Sequence, residues 1–179
     1  VMAHFIVEEA QSFETMFNSY QYYEAITTHD SSLSFCIFSL MAARLGMIDK
    51  AFAYYELTAK LDLTDGHGNT DDGIHVANMG GNYLAIVYGF GGFRLKETGI
   101  FIAPVLPRQW TGYSFKILFE GSRILVHVGK DQCTVSLESG SAKKITVYGK
   151  EYVLKDKLHI DRPAQGHSQE LEGEATVEI

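Results

Sequence analysis

Tyr88-Gly89-Phe90-Gly91-Gly92-Phe93-Arg94 divides this sequence into two parts of different periodicity. Before it, large apolar residues recur at intervals of three and four. After it, they alternate with polar ones in short runs separated by glycine turns. Helices followed by strands imply an α+β molecule with a boundary near residue 92.

Working back from that boundary, residues 74–88 read as a helix with Gly80-Gly81 in its middle. Adjacent glycines cost a helix about 1 kcal/mol each against alanine, which makes sense where another backbone or a ligand must come close. Residues 62–73 are a loop by composition. Residues 50–61 form a helix that Asp49 is placed to cap, and 33–45 form another, closed by Gly46. Residues 12–26 carry Phe13, Met16, Phe17, Tyr20 and Tyr23 at helical spacing behind Ser12, an expected N-cap; 1–10 is an apolar helical stretch closed by two acids. The short turns between these segments suggest antiparallel helix pairs.

Working forward, strands are expected at 99–103, 113–120, 123–128, 132–138, 144–148 and 151–154, with turns at 120–122, 129–131 and 148–150. This spacing indicates an antiparallel sheet packed on itself or on the helices, and the expected form is a small antiparallel β-sandwich domain over 93–162. Residues 163–179 are polar and acidic and are expected to form a disordered tail.

Composition excludes several classes of function. The net charge of −7, from 22 acidic and 15 basic residues, comes with no Lys/Arg stripe, so a nucleic-acid partner is not expected. No apolar run is long enough to span a bilayer, so neither is a membrane. Cys36 and Cys133 form no Cys-x-x-Cys pair and offer no zinc spacing; Cys36, in an apolar helical run, reads as a buried free thiol, and a cytoplasmic location fits this usage. The sequence opens at Val1 in mid-pattern, which suggests a fragment or a processed product.

Three motifs fail on inspection. Residues 65–76 would place His67 and Thr70 where an EF-hand needs an oxygen ligand and a glycine, and Val76 where it needs Glu. Gly89-Phe90-Gly91-Gly92 follows a helix and lacks the third spaced glycine of a dinucleotide fingerprint. His29-Asp30 with Asp72 and His75 has metal-ligand chemistry, but two distant pairs serve as well in a hydrogen-bonded network, so no metal is expected.

Two segments carry the functional reading: Thr27-Thr28-His29-Asp30-Ser31-Ser32-Leu33-Ser34 and Asp71-Asp72-Gly73-Ile74-His75 with Met79-Gly80-Gly81. Each is a polar loop entering an apolar helix. A helix start presents unpaired N–H groups and partial positive charge, Ser31 and Ser32 add hydroxyl donors, and His75 adds an imidazole. If parallel helices bring both starts to one end, they form an oxyanion pocket suited to phosphate. The plainer alternative is that Ser31 and Asp72 simply cap their helices and His75 is structural. The aromatic stripe from Phe13 to Tyr23 reads as core, and Trp110 as packing for the sheet domain.

These segments resemble glycoside hydrolase family 65, which includes maltose, trehalose, kojibiose and nigerose phosphorylases. The resemblance rests on 27–34, on Ala59-Lys60-Leu61-Asp62-Leu63 (with Lys where the family has Arg), and on Asp72-Gly73-Ile74-His75, Met79-Gly80-Gly81 and residues 88–94. It continues through Leu106-Pro107, Trp110, Ser114-Phe115 and Val147-Tyr148-Gly149-Lys150-Glu151, covering about residues 1–155. It implies the last helices of an (α/α)6 catalytic barrel over 1–92, followed by the β domain.

The implied activity is inverting phosphorolysis of an α-glucoside to β-glucose 1-phosphate and a free sugar. The resemblance assigns phosphate to Ser31, Ser32 and His75, with Thr28, His29, Asp30, Asp72 and Gly80 as supporting groups. No cofactor is implied, only inorganic phosphate and a disaccharide as substrates. Val1 resembles the last residue of the family's Lys-Gln-Ala-Asp-Val motif, which places the catalytic Glu upstream and predicts that these residues alone are inactive and need the N-terminal part of the enzyme. Family phosphorylases are often dimers, so a homodimer is a further expectation. A hydrolase of the same family and a non-catalytic carbohydrate-binding module are the alternatives; the serines and histidine favour the phosphorylase.

Overall fold

The structure, a computed structural model, describes residues 1–65, 68 and 70–163. The expected tail, apart from its first residue, and His67 of the rejected calcium loop lie outside the described residues.

The chain opens with a short helix α1 (Met2–Ile6) and a 3-10 turn (Glu8–Ala10). Helix α2 (Phe13–Ile26) follows, and the Ser12 hydroxyl accepts the Thr15 N–H as the N-cap expected from its sequence. Helix α3 (Ser34–Arg44) is the axis of this half: every residue from Cys36 to Ala43 is buried. It ends in a Schellman turn, with Gly46 N–H donating to Ala43, Met47 N–H donating to Ala42, and Gly46 at φ 78. Helix α4 (Ile48–Lys60) begins two residues earlier than expected, so Asp49 lies inside its first turn and does not cap it. Instead Asp49 pairs with Arg108 on the surface.

After a 3-10 turn (Thr70–Asp72), helix α5 (Val76–Leu84) runs into a π-helical segment, Ala85–Phe90. The expected single α-helix therefore widens by one residue per turn where Gly89 meets α3; a Cβ there would lie 3.1 Å from the Leu40 Cα. Gly81 approaches α3 more closely still, opposite Cys36. Contact therefore advances from Cys36 to Leu40 on α3 as it advances from Gly81 to Gly89 on the other helix, so the two run parallel. Helix α4 lies antiparallel to both. Ser39 Oγ donates to the Ala51 carbonyl at 2.8 Å, and Thr58 Oγ1 donates to Asn78 Oδ1 at 2.7 Å in the buried seam with α5.

The passage into the β half explains the glycines of the dividing motif. Gly92 has φ 58, and a Cβ on it would lie 2.4 Å from the Ala103 carbonyl oxygen. Among the described residues, eight strands follow: β1 (Arg94–Lys96), β2 (Gly99–Ile102), β3 (Tyr113–Phe119), β4 (Ser122–Val128), β5 (Gln132–Ser139), β6 (Lys143–Val147), β7 (Lys150–Leu154) and β8 (Lys157–Asp161). They form two four-stranded sheets, ordered β1-β2-β6-β7 and β3-β4-β5-β8. One core, including Ile102, Phe115, Val126, Val135, Ile145 and Leu154, joins residues of both sheets.

The fold is not purely antiparallel, because β2 and β6 pair in parallel. The chain leaves β2, builds β3 to β5 in the other sheet, and returns beside β2 in the same direction. Strands β1 and β8 were also unforeseen. β1 is three residues long; Leu158 and Ile160 of β8 do alternate with polar residues, but the polar run beyond them obscures the signal.

Trp110 does not simply pack the sheet domain. Its ring meets Phe52 and Tyr55 of α4, Phe90, and Tyr113 of β3 edge-on, at centroid distances of 5.0–5.7 Å, and so fills the junction between the two halves. Beside it, the Tyr113 hydroxyl lies 2.6 and 2.8 Å from the Phe90 and Val105 carbonyls. A second tie is ionic: Glu8 pairs with both Arg44 and Arg94, all three nearly buried. Burial, with Arg94 nearby, pushes Arg44 down to about 9, and burial pushes Arg94 down to about 10. Both therefore remain cations at neutral pH, and a single carboxylate holds the first helical turns, α3 and the domain boundary together.

Candidate functional site

Because α3 and α5 are parallel, their starts lie at one end of the helical half. Ser31-Ser32-Leu33 forms the turn into α3, and His75 occupies the cap position of α5. The structure thus brings Ser31, Ser32 and His75 to the same end.

Ser31 is exposed, and its Oγ accepts the Leu33 N–H at 3.3 Å while its carbonyl accepts the Ser34 N–H. The N–H groups of the cap residue Leu33 and of Ser34, the first residue of α3, are therefore already engaged, so an anion here depends more on the hydroxyls and on the dipole than on those amides. Ser31 shapes the turn ahead of α3 without capping it, because Leu33 occupies the cap position and no side chain caps this helix, and the Ser31 O–H can still act as a donor. Ser32 is half-buried in the same turn.

The preceding residues shape this turn. Thr28 Oγ1 donates to Asp30 Oδ2 at 2.7 Å on the surface. His29 adopts φ 58, an uncommon left-handed conformation for a residue with a side chain. Its ring stacks on Phe35 at 4.9 Å, meets Phe38 and Tyr54, and its Nδ1 lies 2.7 Å from Ser34 Oγ. Burial pushes its imidazole pKa down, against the opposing charge of Glu24. His29 is thus an internal anchor that reverses the chain ahead of the two serines.

Around α5 the picture differs from expectation. Asp72 is exposed in the 3-10 turn and makes no cap bond to α5. The group that serves this helix start is Asp62, from the turn after α4. Its Oδ2 accepts the His75 backbone N–H at 3.0 Å, and its Oδ1 lies 2.5 Å from His75 Nδ1. That imidazole bond is the leading cause holding the Asp62 carboxyl below its ordinary value. Nothing in the local pattern announces this pair, because thirteen residues separate its members.

The two glycines of α5 divide their roles. Gly81 faces α3, whereas Gly80 is exposed, with nothing within 4 Å of where a Cβ would stand. On the same outer side Val76, Met79 and Tyr83 expose an apolar stripe. The imagined metal set is not assembled: His29 is enclosed by aromatic rings, His75 is held by Asp62, and Asp30 is bonded to Thr28. Among the described residues, no group of three or more His, Cys, Asp or Glu could hold a metal ion. No helix among them is long and apolar enough to cross a membrane.

The sequence reading also missed a carboxylate hub beside His29. Glu24 accepts from Lys50 at 2.6 Å, from Tyr54 at 3.1 Å and from Tyr20 at 3.2 Å. Burial, then the Glu24 charge, pushes the Tyr54 phenol up to about 12 and raises that of Tyr20 further.

Comparison with known proteins bears on what this end of the molecule does. Residues 1–84 match the Glycosyl hydrolase family 65 central catalytic domain, and 93–154 match the family 65 C-terminal domain. Among curated relatives, the chain is 52% identical to the alpha,alpha-trehalose phosphorylase of Geobacillus stearothermophilus, over 86% of this chain and 20% of that protein. It is 35% identical to the maltose phosphorylase of Bacillus subtilis strain 168, over 81% of this chain and 19% of that one. Among solved structures, a putative kojibiose phosphorylase from human microbiome superposes with a TM-score of 0.85 at 37% identity, over 90% of this chain and 21% of that one. The chain thus spans about a fifth of the length of the curated relatives it matches.

Proposed function

The chain belongs to glycosyl hydrolase family 65, and on that premise we propose that it works as the C-terminal part of an inverting disaccharide phosphorylase, to which it contributes the phosphate-binding residues. The observation that carries this reading is the parallel packing of α3 and α5, which sets the Ser31-Ser32 turn and His75 at one end. Hydroxyls, an imidazole and two helix starts together offer an oxyanion short, directional donors in a field of favourable sign.

In the reaction, one phosphate oxygen forms a bond to the anomeric carbon as the glycosidic C–O bond breaks on the opposite face. A general acid protonates the departing sugar oxygen. We assign that acid to a Glu in the larger part of the family architecture, outside these 179 residues, so this segment alone is expected to be inactive. Ser31, Ser32 and His75 hold and orient the phosphate. His29, with Thr28 and Asp30, shapes the serine turn, and exposed Gly80 leaves room for the ligand or for neighbouring chain. The apolar stripe of Val76, Met79 and Tyr83, and the exposed Tyr22 and Ile26 of α2, support a setting in which further helices of an (α/α)6 barrel cover this side.

The substrates are an α-glucoside of the trehalose, maltose or kojibiose type and inorganic phosphate, and no cofactor is required. Two free cysteines, both buried, suit a reducing compartment such as the cytoplasm.

The test is phosphorolysis of trehalose, maltose and kojibiose by the longer protein and by the isolated 179 residues. The longer protein is expected to release β-glucose 1-phosphate from one of them and the isolated segment none. Release of glucose alone, with no sugar phosphate, would assign the protein to hydrolysis; turnover by the segment alone would show that its acid lies within these residues.

A further inference from the structure

Resting on the phosphate reading above, we infer that Asp62 is a positioning residue for that site, acting through His75. Its two oxygens hold two different parts of one residue: Oδ2 the His75 backbone N–H at 3.0 Å, and Oδ1 the ring Nδ1 at 2.5 Å. A cap alone needs only the first bond. The second fixes the ring's rotation and, because a carboxylate can only accept, requires the proton on Nδ1.

The consequence concerns Nε2. With Nδ1–H committed to Asp62, Nε2 is the ring nitrogen that Asp62 does not engage, and a phosphate reaching this imidazole is met by Nε2. Phosphate near neutral pH itself carries a titrating proton, so one proton is shared between Nε2 and a phosphate oxygen, on whichever side it resides. If the ring turned over, or took the other tautomer, it would present Nδ1 from a different position. Asp62 prevents both. The side chain is only 9% exposed, and the pair ties the end of α4 to the start of α5, so the clamp belongs to the packed helix junction. The ordinary capping residues, Ser, Thr or Asn, can supply one acceptor to the amide but not a second anionic oxygen to the ring.

The test uses the longer enzyme with Asp62→Asn, Asp62→Glu and His75→Ala, comparing KM for phosphate with KM for the disaccharide. Asp62→Asn is expected to raise the phosphate KM about tenfold and leave the disaccharide KM within about twofold, with partial recovery in Asp62→Glu. Adding Asp62→Asn to His75→Ala is expected to change the phosphate KM little further, because Asp62 acts through the ring. Nitrogen spectra of labelled histidine give a second readout on the wild-type protein, where His75 is expected to be protonated at Nδ1, and they decide the matter if Asp62→Asn does not fold. An unchanged phosphate KM in Asp62→Asn, beside a raised one in His75→Ala, overturns the inference and leaves the phosphate reading standing. So does a neutral His75 carrying its proton on Nε2. A wild-type enzyme without phosphorolysis overturns both.

Discussion

Gly81 of α5 lies so close to Cys36 of α3 that a Cβ on the glycine would stand 2.5 Å from the cysteine Sγ and 2.8 Å from its Cβ. This contact lets two parallel helix starts approach each other, whereas its neighbour Gly80, on the outer side of α5, has nothing within 4 Å of where a Cβ would stand. The two glycines therefore separate packing from exposure within one dipeptide.

Gly81→Ala must push α5 away from α3, at an expected cost of about 1–3 kcal/mol. Gly80→Ala meets nothing in the described structure and gains helix propensity, so it is expected to be neutral or to stabilise by up to about 1 kcal/mol. Denaturant titration of the two variants checks the order. Gly80→Ala is still expected to weaken phosphate use if that face receives ligand or neighbouring chain.

Glu8 is the sole carboxylate found between the buried Arg44 and Arg94 among the described residues. Glu8→Gln leaves two nearly buried cations facing each other without a counter-charge. The expected loss is about 3–5 kcal/mol, read as a lower thermal midpoint. A change under about 1 kcal/mol would mean that solvent screens this cluster.

Stability at high pH should follow the tyrosines around Glu24. The Tyr54 phenol is raised from 10.0 to about 12, by burial first and Glu24 second. The folded state therefore holds a proton that the unfolded chain releases above pH 10, and stability falls as pH rises from 10 toward 12. Tyr54→Phe is expected to flatten that decline. Tyrosinate absorbance followed with unfolding separates this effect from other alkaline events.

The chain contains one tryptophan, and it sits in the junction between helices and sheets. Trp110→Ala is expected to cost about 2–3 kcal/mol, below the value for a fully buried ring, and to loosen the two halves. Its fluorescence is expected not to respond to disaccharide at concentrations that support turnover. A blue shift on adding sugar would favour the carbohydrate-binding alternative.

The division at residues 88–94 was legible because period and composition both change there and glycines cluster where the backbone crosses from helix to sheet. Ser12 and Gly46 were legible as caps because capping is local: donor and acceptor lie within five residues. Asp49 misled for the same reason, since a capping residue does not fix which turn begins the helix. The parallel pairing of β2 with β6 and the Asp62–His75 clamp were not legible, because each depends on where distant segments meet. The residue types at the α3 and α5 starts pointed to an anion, but their common end followed only from the glycine contacts on α3.

The most direct test of the account is the phosphate dependence of disaccharide cleavage by the longer enzyme carrying Ser31→Ala and Ser32→Ala together. Each lost hydroxyl removes a charge-assisted hydrogen bond to phosphate, so the pair is expected to raise the phosphate KM by roughly tenfold to a few hundredfold and leave the disaccharide KM within about twofold. A double variant with an unchanged phosphate KM would contradict the account, and Ser31 and Ser32 would then shape the turn into α3 and nothing more.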